Sequence, residues 1–346
     1  MVTAVRKEFA RNSTSTPGGH STAEITLNGR VAVVTGAGRR MGRTHALELA
    51  RRGAAVVVND VLGVGTPEGP AADRVVDEIE RAGGRAVASH DSVATPEGGR
   101  AIVEKALERF GRIDVVVHNA GTWRNTPFED MTSENVDPVL DVHLRGAFFV
   151  TQPAWREMKA RSYGRIVLVS STAGAFGREN GANYCAAKAG LLGLSRALAL
   201  EGADLGIKAN CVLPLAAETA DVDVAQRSYP GPWQQRLSAA SSELARSRRQ
   251  PERASALVAY LASEVCAVTG EAFSAVSGRY ARAFNGLTVG WLDARPGIST
   301  AEEIAAHLGQ IRDLENFIVP ESLLDELRAV SASLDARLSE DATPSR

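Results

Sequence analysis

A tyrosine and a lysine four residues apart, Tyr184 and Lys188, are the residues best suited to chemistry. On a helix this spacing places both side chains on one face. A free phenol has a pKa near 10 and is a poor base at neutral pH, but a nearby ammonium group stabilises the phenolate and lowers that pKa. Tyrosine could then take a proton from an alcohol or return one to a ketone. An exposed helical pair without a function is the alternative.

A glycine-rich turn follows the first predicted strand, in the order Thr35-Gly36-Ala37-Gly38-Arg39-Arg40-Met41-Gly42. Glycines let the backbone approach a pyrophosphate, and the helix that follows offers its N-terminal amides and positive dipole end to the phosphates. Placed between the first strand and the first helix, the turn predicts a dinucleotide site. A tight turn that binds nothing is the alternative.

The second predicted strand ends in Asp60, 24 residues after Gly36. An acidic residue there can accept hydrogen bonds from both hydroxyls of an adenosine ribose and repels a 2′-phosphate, which favours NAD over NADP. Arg39 and Arg40 have the opposite tendency, because an arginine can pair with a 2′-phosphate. We give Asp60 more weight, since its repulsion acts in a partly buried site, although it could also simply cap a loop.

Short apolar runs alternate with helix-length segments from Arg30 onward. Several runs are β-branched and apolar throughout, as in strands buried on both faces. Strict alternation predicts an α/β, doubly wound, parallel, seven-stranded sheet of the Rossmann-like type. The predicted strands are 31–34, 55–59, 86–89, 115–118, 166–170, 209–213 and 272–276, and the predicted helices are 43–52, 71–82, 97–110, 134–159, 183–202 and 251–263.

Three segments fall outside this alternation. Residues 1–27 are rich in Ser, Thr and Gly, which predicts a flexible N-terminal tail, with a mitochondrial targeting segment as the alternative. Residues 215–249 are polar and predict a long mobile loop, with or without a short helix, and long loops inside such domains are usually functional. The C-terminal part holds two further predicted helices, 301–314 and 320–338. We therefore expect one dinucleotide-binding catalytic domain over 28–282, followed by a C-terminal helical extension over 283–346.

Composition argues against several classes of protein. A net charge of −2, from 39 basic and 41 acidic residues, is unlike the basic excess of a nucleic-acid-binding protein. No stretch approaches the roughly 20 apolar residues of a membrane span, and the first residues lack the apolar region of a secretory signal. The three cysteines are far apart, which argues against a disulfide framework or a metal site. A cytoplasmic protein is the expectation.

These motifs stand in the order found in the short-chain dehydrogenase/reductase family, which the chain resembles over about 27–282. The further matching residues are Asn119-Ala120-Gly121, Ser171 thirteen residues before Tyr184, and Pro214 with Thr219. The resemblance implies a Rossmann-like fold and a nicotinamide-dependent oxidoreductase acting on CH–OH groups.

The resemblance also implies a role for each matching residue. Tyr184 would be the general acid and base, Lys188 would hold the nicotinamide ribose and lower the pKa of the tyrosine, and Ser171 would donate a hydrogen bond to the substrate oxygen. Asp91 and Ser92 would contact adenine. The residues expected to bind the cofactor are Gly36, Arg39, Met41, Gly42, Asp60, Asp91, Ser92, Asn119, Ala120, Gly121, Tyr184, Lys188, Pro214 and Thr219.

Four positions differ from the wider family: Leu215 replaces a usual glycine, His118 replaces a usual asparagine, and the other two are His143 and Arg40. His143 stands where that family usually has a proton-relay asparagine, and we count it among the catalytic candidates. A buried structural histidine is the alternative, because the relay can use a backbone carbonyl and water. Arg40 occupies the second glycine of the turn, and if that position has positive φ the arginine costs roughly 1–2 kcal/mol. We expect NAD to bind nonetheless.

Within the family, the chain looks most like the dehydrogenase region of peroxisomal multifunctional enzyme type 2. The segments that carry this likeness are 56–60, 111–117, 142–146, 163–167, 190–194 and 313–316. That region oxidises (3R)-hydroxyacyl-CoA with NAD, and similar actinobacterial proteins act on steroid side-chain CoA thioesters. The resemblance therefore implies an acyl-CoA substrate and a homodimer or homotetramer.

Three functions remain open at this point. The first is a (3R)-3-hydroxyacyl-CoA dehydrogenase, and the second is a dehydrogenase or ketoreductase of a free steroid or natural-product carbonyl. The third is a non-redox module on the same fold. The intact set of Ser171, Tyr184 and Lys188 argues against the third.

Overall fold

A computed structural model describes residues 24–61, 69–215, 235–236, 239–293, 295 and 297–341. Its centre is an eight-stranded sheet in the order β3-β2-β1-β4-β5-β6-β7-β8, in which β8 alone runs antiparallel to its neighbour. The strands are β1 Val31–Thr35, β2 Ala55–Asn59, β3 Arg85–Ser89, β4 Val115–His118, β5 Gly164–Val169, β6 Ile207–Leu215, β7 Ala272–Val276 and β8 Arg279–Ala283. A separate antiparallel pair joins β9 Leu287–Thr288 to β10 Phe317–Ile318.

Helices connect the parallel strands and cover both faces of the sheet. They are α1 Arg40–Arg51, α2 Ala71–Arg81, α3 Pro96–Phe110, α4 Ser133–Leu140, α5 Gly146–Ala160, α6 Thr172–Phe176, α7 Ala182–Gly202, α8 Glu243–Ser247, α9 Pro251–Ala262, α10 Ala301–Ala306, α11 Leu308–Ile311 and α12 Leu323–Asp341. A π-helical turn, Asp141–Arg145, separates α4 from α5. Within the described ranges, no helix combines the length and apolarity needed to cross a membrane.

Alternation along β1 shows why the strands are apolar throughout. Ala32 and Val34 face a core built with α1, α2 and α9, whereas Val31 and Val33 face a second core built with α3, α5 and α7. Side chains of a strand point alternately to its two faces, so a strand covered on both sides must be apolar at every position. This confirms the predicted parallel, doubly wound arrangement.

Sequence signals at the ends of α3 illustrate how a helix is delimited. The Thr95 side chain accepts a hydrogen bond from the Gly98 amide at 3.1 Å, and Pro96 opens the helix. Gly111 ends it in the left-handed conformation, at φ 73°. A capping threonine, a proline in the first turn and a terminal glycine are the usual boundary residues of helices.

The structure adds one strand, β8, to the predicted seven-stranded sheet, besides the separate pair of β9 and β10. β8 follows a tight turn in which Ser277 and Gly278 both have positive φ, at 54° and 86°, as in a two-residue hairpin. Its sequence is RYARA, and it lies at the edge of the sheet with all five residues partly or fully exposed. An edge strand needs no apolar run, which is why the apolar pattern missed it.

Other predicted boundaries also change. The predicted helix 134–159 is interrupted by the π turn, and the predicted helix 301–314 is two short helices. The predicted loop 215–249 and tail 1–27 lie largely outside the described residues.

The carboxyl ends of the parallel strands meet at one edge of the sheet. The strand order reverses between β1 and β4, because β1 is followed on one side by β2 and on the other by β4. In open α/β sheets, this crevice at the carboxyl edge is where ligands bind. Thr35, Asn59, His118 and Val169 end strands there.

Candidate active site

Tyr184 and Lys188 lie one turn apart on α7, and the ammonium nitrogen of Lys188 is 5.7 Å from the centre of the phenol ring. Lys188 is buried, with 3% of its surface exposed. Its Nζ donates a hydrogen bond to the Val169 carbonyl at 2.6 Å. The predicted face-sharing of the two side chains is therefore present.

The end of β5 holds Lys188 from two sides. Besides the Val169 carbonyl, the Ser170 hydroxyl donates to the Lys188 carbonyl at 2.7 Å. Gly174 of α6 packs so closely on α7 that a Cβ there would lie 2.7 Å from the Lys188 carbonyl carbon. These contacts bring Ser171, the second residue after β5, to the same region as α7.

Ser171 caps the N-terminus of α6, and its Oγ accepts a hydrogen bond from the Ala173 amide at 3.1 Å. This bond uses the oxygen as an acceptor. The hydroxyl hydrogen can therefore be donated elsewhere, as an oxygen-polarising role requires.

Asn183 fixes the start of α7 just before the tyrosine. Its amide nitrogen donates to the Asn135 carbonyl at 2.7 Å and to the Arg124 carbonyl at 2.9 Å, while its Oδ1 accepts from the Tyr184 amide at 2.7 Å. The residue is 4% exposed. One buried side chain thus joins the tyrosine backbone to two other segments, a role that sequence reasoning missed although Asn183 directly precedes Tyr184.

His143 lies in the π turn with its ring edge-on to Tyr184, at 5.2 Å between centroids and 88° between planes. Its Nε2 is 2.8 Å from the Thr122 carbonyl oxygen and 3.1 Å from the Thr122 amide nitrogen. One ring nitrogen cannot donate and accept at once, so we assign the proton to Nε2 from the shorter contact. Burial holds the pKa of His143 well below its ordinary value, and the ring is neutral.

This geometry bears on the two interpretations of His143. Its Nδ1 is buried and, among the described residues, has no hydrogen-bond partner. The ring of His143 packs against Tyr184. The backbone carbonyl of His143 accepts a hydrogen bond from His118. A structural contribution is therefore visible, and the predicted catalytic contribution stays a prediction.

His118 connects Thr35, at the start of the glycine-rich turn, to His143 in the π turn. The Thr35 hydroxyl accepts from the amides of Asn119 and Ala120, each at 3.0 Å, so its own hydrogen points to His118 Nδ1 at 3.3 Å. The opposite nitrogen, Nε2, then carries the proton and donates to the His143 carbonyl at 3.2 Å. Burial lowers the pKa of His118 to about 4, in agreement with a neutral ring.

The glycine turn forms a close backbone cradle. Gly36 has φ 62°, and a Cβ there would lie 2.7 Å from the Ala120 Cα. A Cβ at Gly42 would overlap the Gly36 carbonyl oxygen. The Asn119 side chain donates to the carbonyls of Thr35 and Gly36 at 3.1 and 3.2 Å. A backbone surface free of side chains at the start of a helix fits a pyrophosphate.

Asp60 follows β2 beside this cradle and is 8% exposed. One carboxylate oxygen accepts from the Gly38 amide at 3.1 Å and the other from the Val61 amide at 3.0 Å. A Cβ at Gly38 would lie 2.8 Å from the carboxylate. Both interpretations of Asp60 are compatible with this placement, since it caps its loop and also holds a negative charge against the glycine turn.

Asp91 and Ser92 follow β3, the neighbour of β2. The Ser89 hydroxyl donates to Asp91 Oδ2 at 3.0 Å, and the Asn59 side chain donates to the Asp91 carbonyl at 2.9 Å. Ser92 Oγ accepts from the Ala94 amide at 3.2 Å. The two residues lie beside the end of β2, and their predicted adenine contact stays a prediction.

The two arginines of the turn differ in backbone geometry. Arg39 is exposed and extended, with φ −159°, whereas Arg40 has φ 50°. Arg40 therefore has the positive φ at which a residue other than glycine costs roughly 1–2 kcal/mol. Its guanidinium carbon lies 6.0 Å from the centre of the Trp123 ring. Met41, the second residue of α1, is half-buried against the core beside that helix.

The remaining predicted residues are placed as follows. Gly121 lies against His143, where a Cβ would be 2.6 Å from the imidazole Cε1. Pro214 is in β6 opposite Ala275 of β7. Thr219 lies outside the described residues, so its predicted contact with the cofactor stays a prediction.

Burial dominates the electrostatics around Lys188. It lowers the pKa of Lys188 to about 7, because the charged form is deprived of water. Cys211 is also buried, and its thiol pKa is raised to about 12. An ammonium with so low a pKa is sensitive to any negative charge that forms nearby, such as a phenolate.

Sequence comparisons agree with this geometry. Residues 30–228 match the model of the short chain dehydrogenase family. A short-chain type dehydrogenase/reductase of Mycobacterium tuberculosis is 43% identical over 289 residues, which are 82% of this chain and 94% of that protein. Peroxisomal multifunctional enzyme type 2 of Mus musculus is 38% identical over 326 residues, which are 93% of this chain but 42% of the mouse enzyme. The chain thus spans about two fifths of that relative's length.

A solved structure shows the same fold. A short chain dehydrogenase from Mycobacterium avium superimposes with a TM-score of 0.70 at 35% identity, covering 83% of this chain and 97% of the other. Together with the family match, this confirms the resemblance and the fold class. The chain belongs to the short-chain dehydrogenase/reductase family and is an oxidoreductase acting on CH–OH groups, which implies a nicotinamide cofactor.

Proposed function

We propose that the protein is an NAD-dependent (3R)-3-hydroxyacyl-CoA dehydrogenase, which interconverts the 3-hydroxy and 3-oxo thioesters. The observation that carries the proposal is the likeness to multifunctional enzyme type 2, which extends over 93% of this chain. A steroid side-chain CoA thioester is one form that the acyl group could take.

The site supports proton exchange with a substrate oxygen. The Ser171 hydroxyl has its hydrogen available because its oxygen accepts from the Ala173 amide. Tyr184 would take the proton of the substrate hydroxyl, and Lys188, beside the ring, would stabilise the phenolate. The Val169 carbonyl accepts from the Lys188 ammonium, while Ser170 and Asn183 hold the backbone of Lys188 and Tyr184 through the hydrogen bonds described above.

The residues present fit a nicotinamide dinucleotide. Gly36 and Gly42 pack too tightly on Ala120 and the Gly36 carbonyl to admit a Cβ, and the turn that they form would present its backbone amides to the pyrophosphate at the start of α1. Bound NAD would accept a hydride from the carbon that carries the hydroxyl group. Asp60 would accept hydrogen bonds from the adenosine ribose, and its negative charge favours NAD over NADP.

The predicted homodimer or homotetramer remains part of this proposal. Family resemblance supports it, and size-exclusion chromatography with light scattering measures it directly.

A substrate panel tests the proposal. Purified protein is incubated with NAD or NADP and with (3R)-hydroxyacyl-CoA thioesters of several lengths, a hydroxylated steroid side-chain CoA, and free hydroxysteroids, and reduced nicotinamide is followed by absorbance. We expect turnover of (3R) thioesters with NAD, and the matched (3S) thioesters serve as the control. Oxidation of free hydroxysteroids without oxidation of any CoA thioester would assign the second function considered above and overturn the proposal.

A further inference from the structure

A second cation lies against the ring of Tyr184. The loop between α6 and α7 carries Arg178, and its guanidinium carbon is 5.3 Å from the centre of the phenol ring. This is within the distance at which a cation interacts with an aromatic face. Lys188 lies at 5.7 Å from the same centre. The phenol therefore has two basic side chains near its ring.

Contacts from two other segments hold Arg178 in this position. Its guanidinium donates a hydrogen bond to Oδ1 of Asn125, which lies in the loop after β4. Its carbonyl oxygen accepts from the thiol of Cys185 at 3.8 Å, next to the tyrosine. A Cβ at Gly181 would lie 2.7 Å from the guanidinium, so this glycine leaves the space that the arginine fills. The arginine is thus built into the loop and half-buried.

The groups around the ring differ in charge. His143, on the π turn, is edge-on to it and neutral, because burial keeps the pKa of its imidazole well below the ordinary value. Burial lowers the pKa of Lys188 to about 7, so this ammonium holds its proton less firmly than an exposed lysine does. An arginine guanidinium stays positively charged over the pH range in which proteins are folded, because its pKa is above about 12. Glu179, the residue after Arg178, pairs with Arg236 at 2.5 Å.

From this geometry we propose that Arg178 is a positioning residue that keeps a permanent positive charge at the ring of Tyr184 and stabilises its phenolate form. A cation is attracted to a neutral aromatic face and more strongly to an anionic one. The inference rests on the proposed function only in taking Tyr184 as the group that exchanges the proton. It does not depend on which substrate or nucleotide binds.

Ultraviolet titration of the phenol tests the inference without substrate or cofactor. The absorbance change of tyrosine ionisation is recorded against pH for the full-length protein, and the same titration of Tyr184→Phe is subtracted to isolate this one phenol. We expect Arg178→Gln to raise the ionisation midpoint by about 1 pH unit, as loss of one nearby opposite charge does. Arg178→Lys should retain most of the wild-type midpoint, because it restores the charge.

Arg124 offers a matched control. It is exposed, and its side chain hydrogen bonds to the Thr122 hydroxyl and the Trp123 carbonyl within its own loop. Arg124→Gln also removes one positive charge from this side of the protein, and we expect the ionisation midpoint of the phenol to stay unchanged. Asn125→Ala is a second route, since it removes the anchor but keeps the arginine, and it should raise the midpoint by less than Arg178→Gln does.

Two results of the titration would overturn the inference. One is an unchanged midpoint in Arg178→Gln, and the other is an equal shift in Arg124→Gln, which would indicate a general charge effect. Steady-state kinetics give a further readout. If Arg178 instead binds an anionic group of the substrate, Arg178→Gln raises KM and lowers kcat/KM at every pH without moving the midpoint of its pH profile. That result also contradicts the inference.

Discussion

The ammonium group of Lys188 donates to the Val169 carbonyl at 2.6 Å while it lies beside the ring of Tyr184. The end of β5 therefore sets the position of the cation that serves the tyrosine on α7. The Lys188 ammonium, positioned by the end of β5, and the Tyr184 phenol, positioned by α7, keep a fixed separation only if β5 and α7 are held together by further contacts. The bond from Ser170 to the Lys188 carbonyl does this.

Replacement of Lys188 by methionine tests the charge in this pair. Loss of the cation raises the pKa of the phenol, so we expect alcohol oxidation to need a higher pH and kcat/KM at neutral pH to fall by at least about 100-fold. The measurement is the pH profile of NADH formation. Lys208→Met is the matched control, because Lys208 also donates to a backbone carbonyl, that of Cys266, at the opposite end of the sheet. A profile in Lys188→Met that matches the wild type would refute the role of the charge.

Asp60 is expected to set the nucleotide preference. Asp60→Asn removes the negative charge at the turn, so NAD should bind roughly tenfold more weakly, as loss of a hydrogen bond to a charged group does, and NADP should bind more tightly. Isothermal titration calorimetry with both nucleotides gives the two dissociation constants. Their ratio is the internal control, because general damage to the fold weakens both. An unchanged ratio would show that Asp60 only caps its loop.

Arg40 is expected to carry backbone strain. Its φ of 50° is a conformation that glycine adopts freely and that costs other residues about 1 kcal/mol or more. Arg40→Gly should therefore be more stable than Arg40→Ala by about 1 kcal/mol, measured by urea unfolding. Both variants lose the same side chain, including its contact with Trp123, so their difference isolates the backbone. Equal stability of the two variants would contradict the strain.

His45 is expected to make the fold sensitive to acid. It is fully buried between α1 and α9, its Nδ1 is 2.8 Å from the Ser255 hydroxyl, and burial lowers its pKa to about 3. The unfolded chain, with an ordinary histidine pKa of 6.5, binds the proton first, so the stability from this residue is present above pH 6.5 and is lost as pH falls toward 3. The slope from one such group is about 1.4 kcal/mol per pH unit.

The measurement is the free energy of unfolding at several pH values between 7 and 4. His45→Asn keeps a donor near the serine but cannot titrate, so its curve should be flatter than that of the wild type by about one proton. The same slope in both proteins would mean that His45 is not kept neutral by the fold.

The sequence predicted those parts of the fold and site that depend on local pattern. Strands covered on both faces are apolar at every position, and Tyr184 and Lys188 share a face because one helix contains both. β8 escaped prediction because an exposed edge strand has no apolar run.

Contacts between distant segments could not be predicted in this way. Arg178 meets Asn125, 53 residues away, and His118 meets Thr35, 83 residues away. No spacing rule connects such residues, because their approach depends on how whole loops and strands come together. A histidine before Asn119 and an arginine near the tyrosine were visible in the sequence, but their partners were not.

Turnover by Tyr184→Phe, measured beside its NAD affinity, is the most direct test of the mechanism. Phenylalanine keeps the ring and removes the hydroxyl group, so we predict that NADH formation from a (3R)-hydroxyacyl-CoA falls by at least about 100-fold while the dissociation constant for NAD stays within about threefold of the wild type. Turnover close to that of the wild-type protein would contradict the assignment of Tyr184 as the group that exchanges the proton.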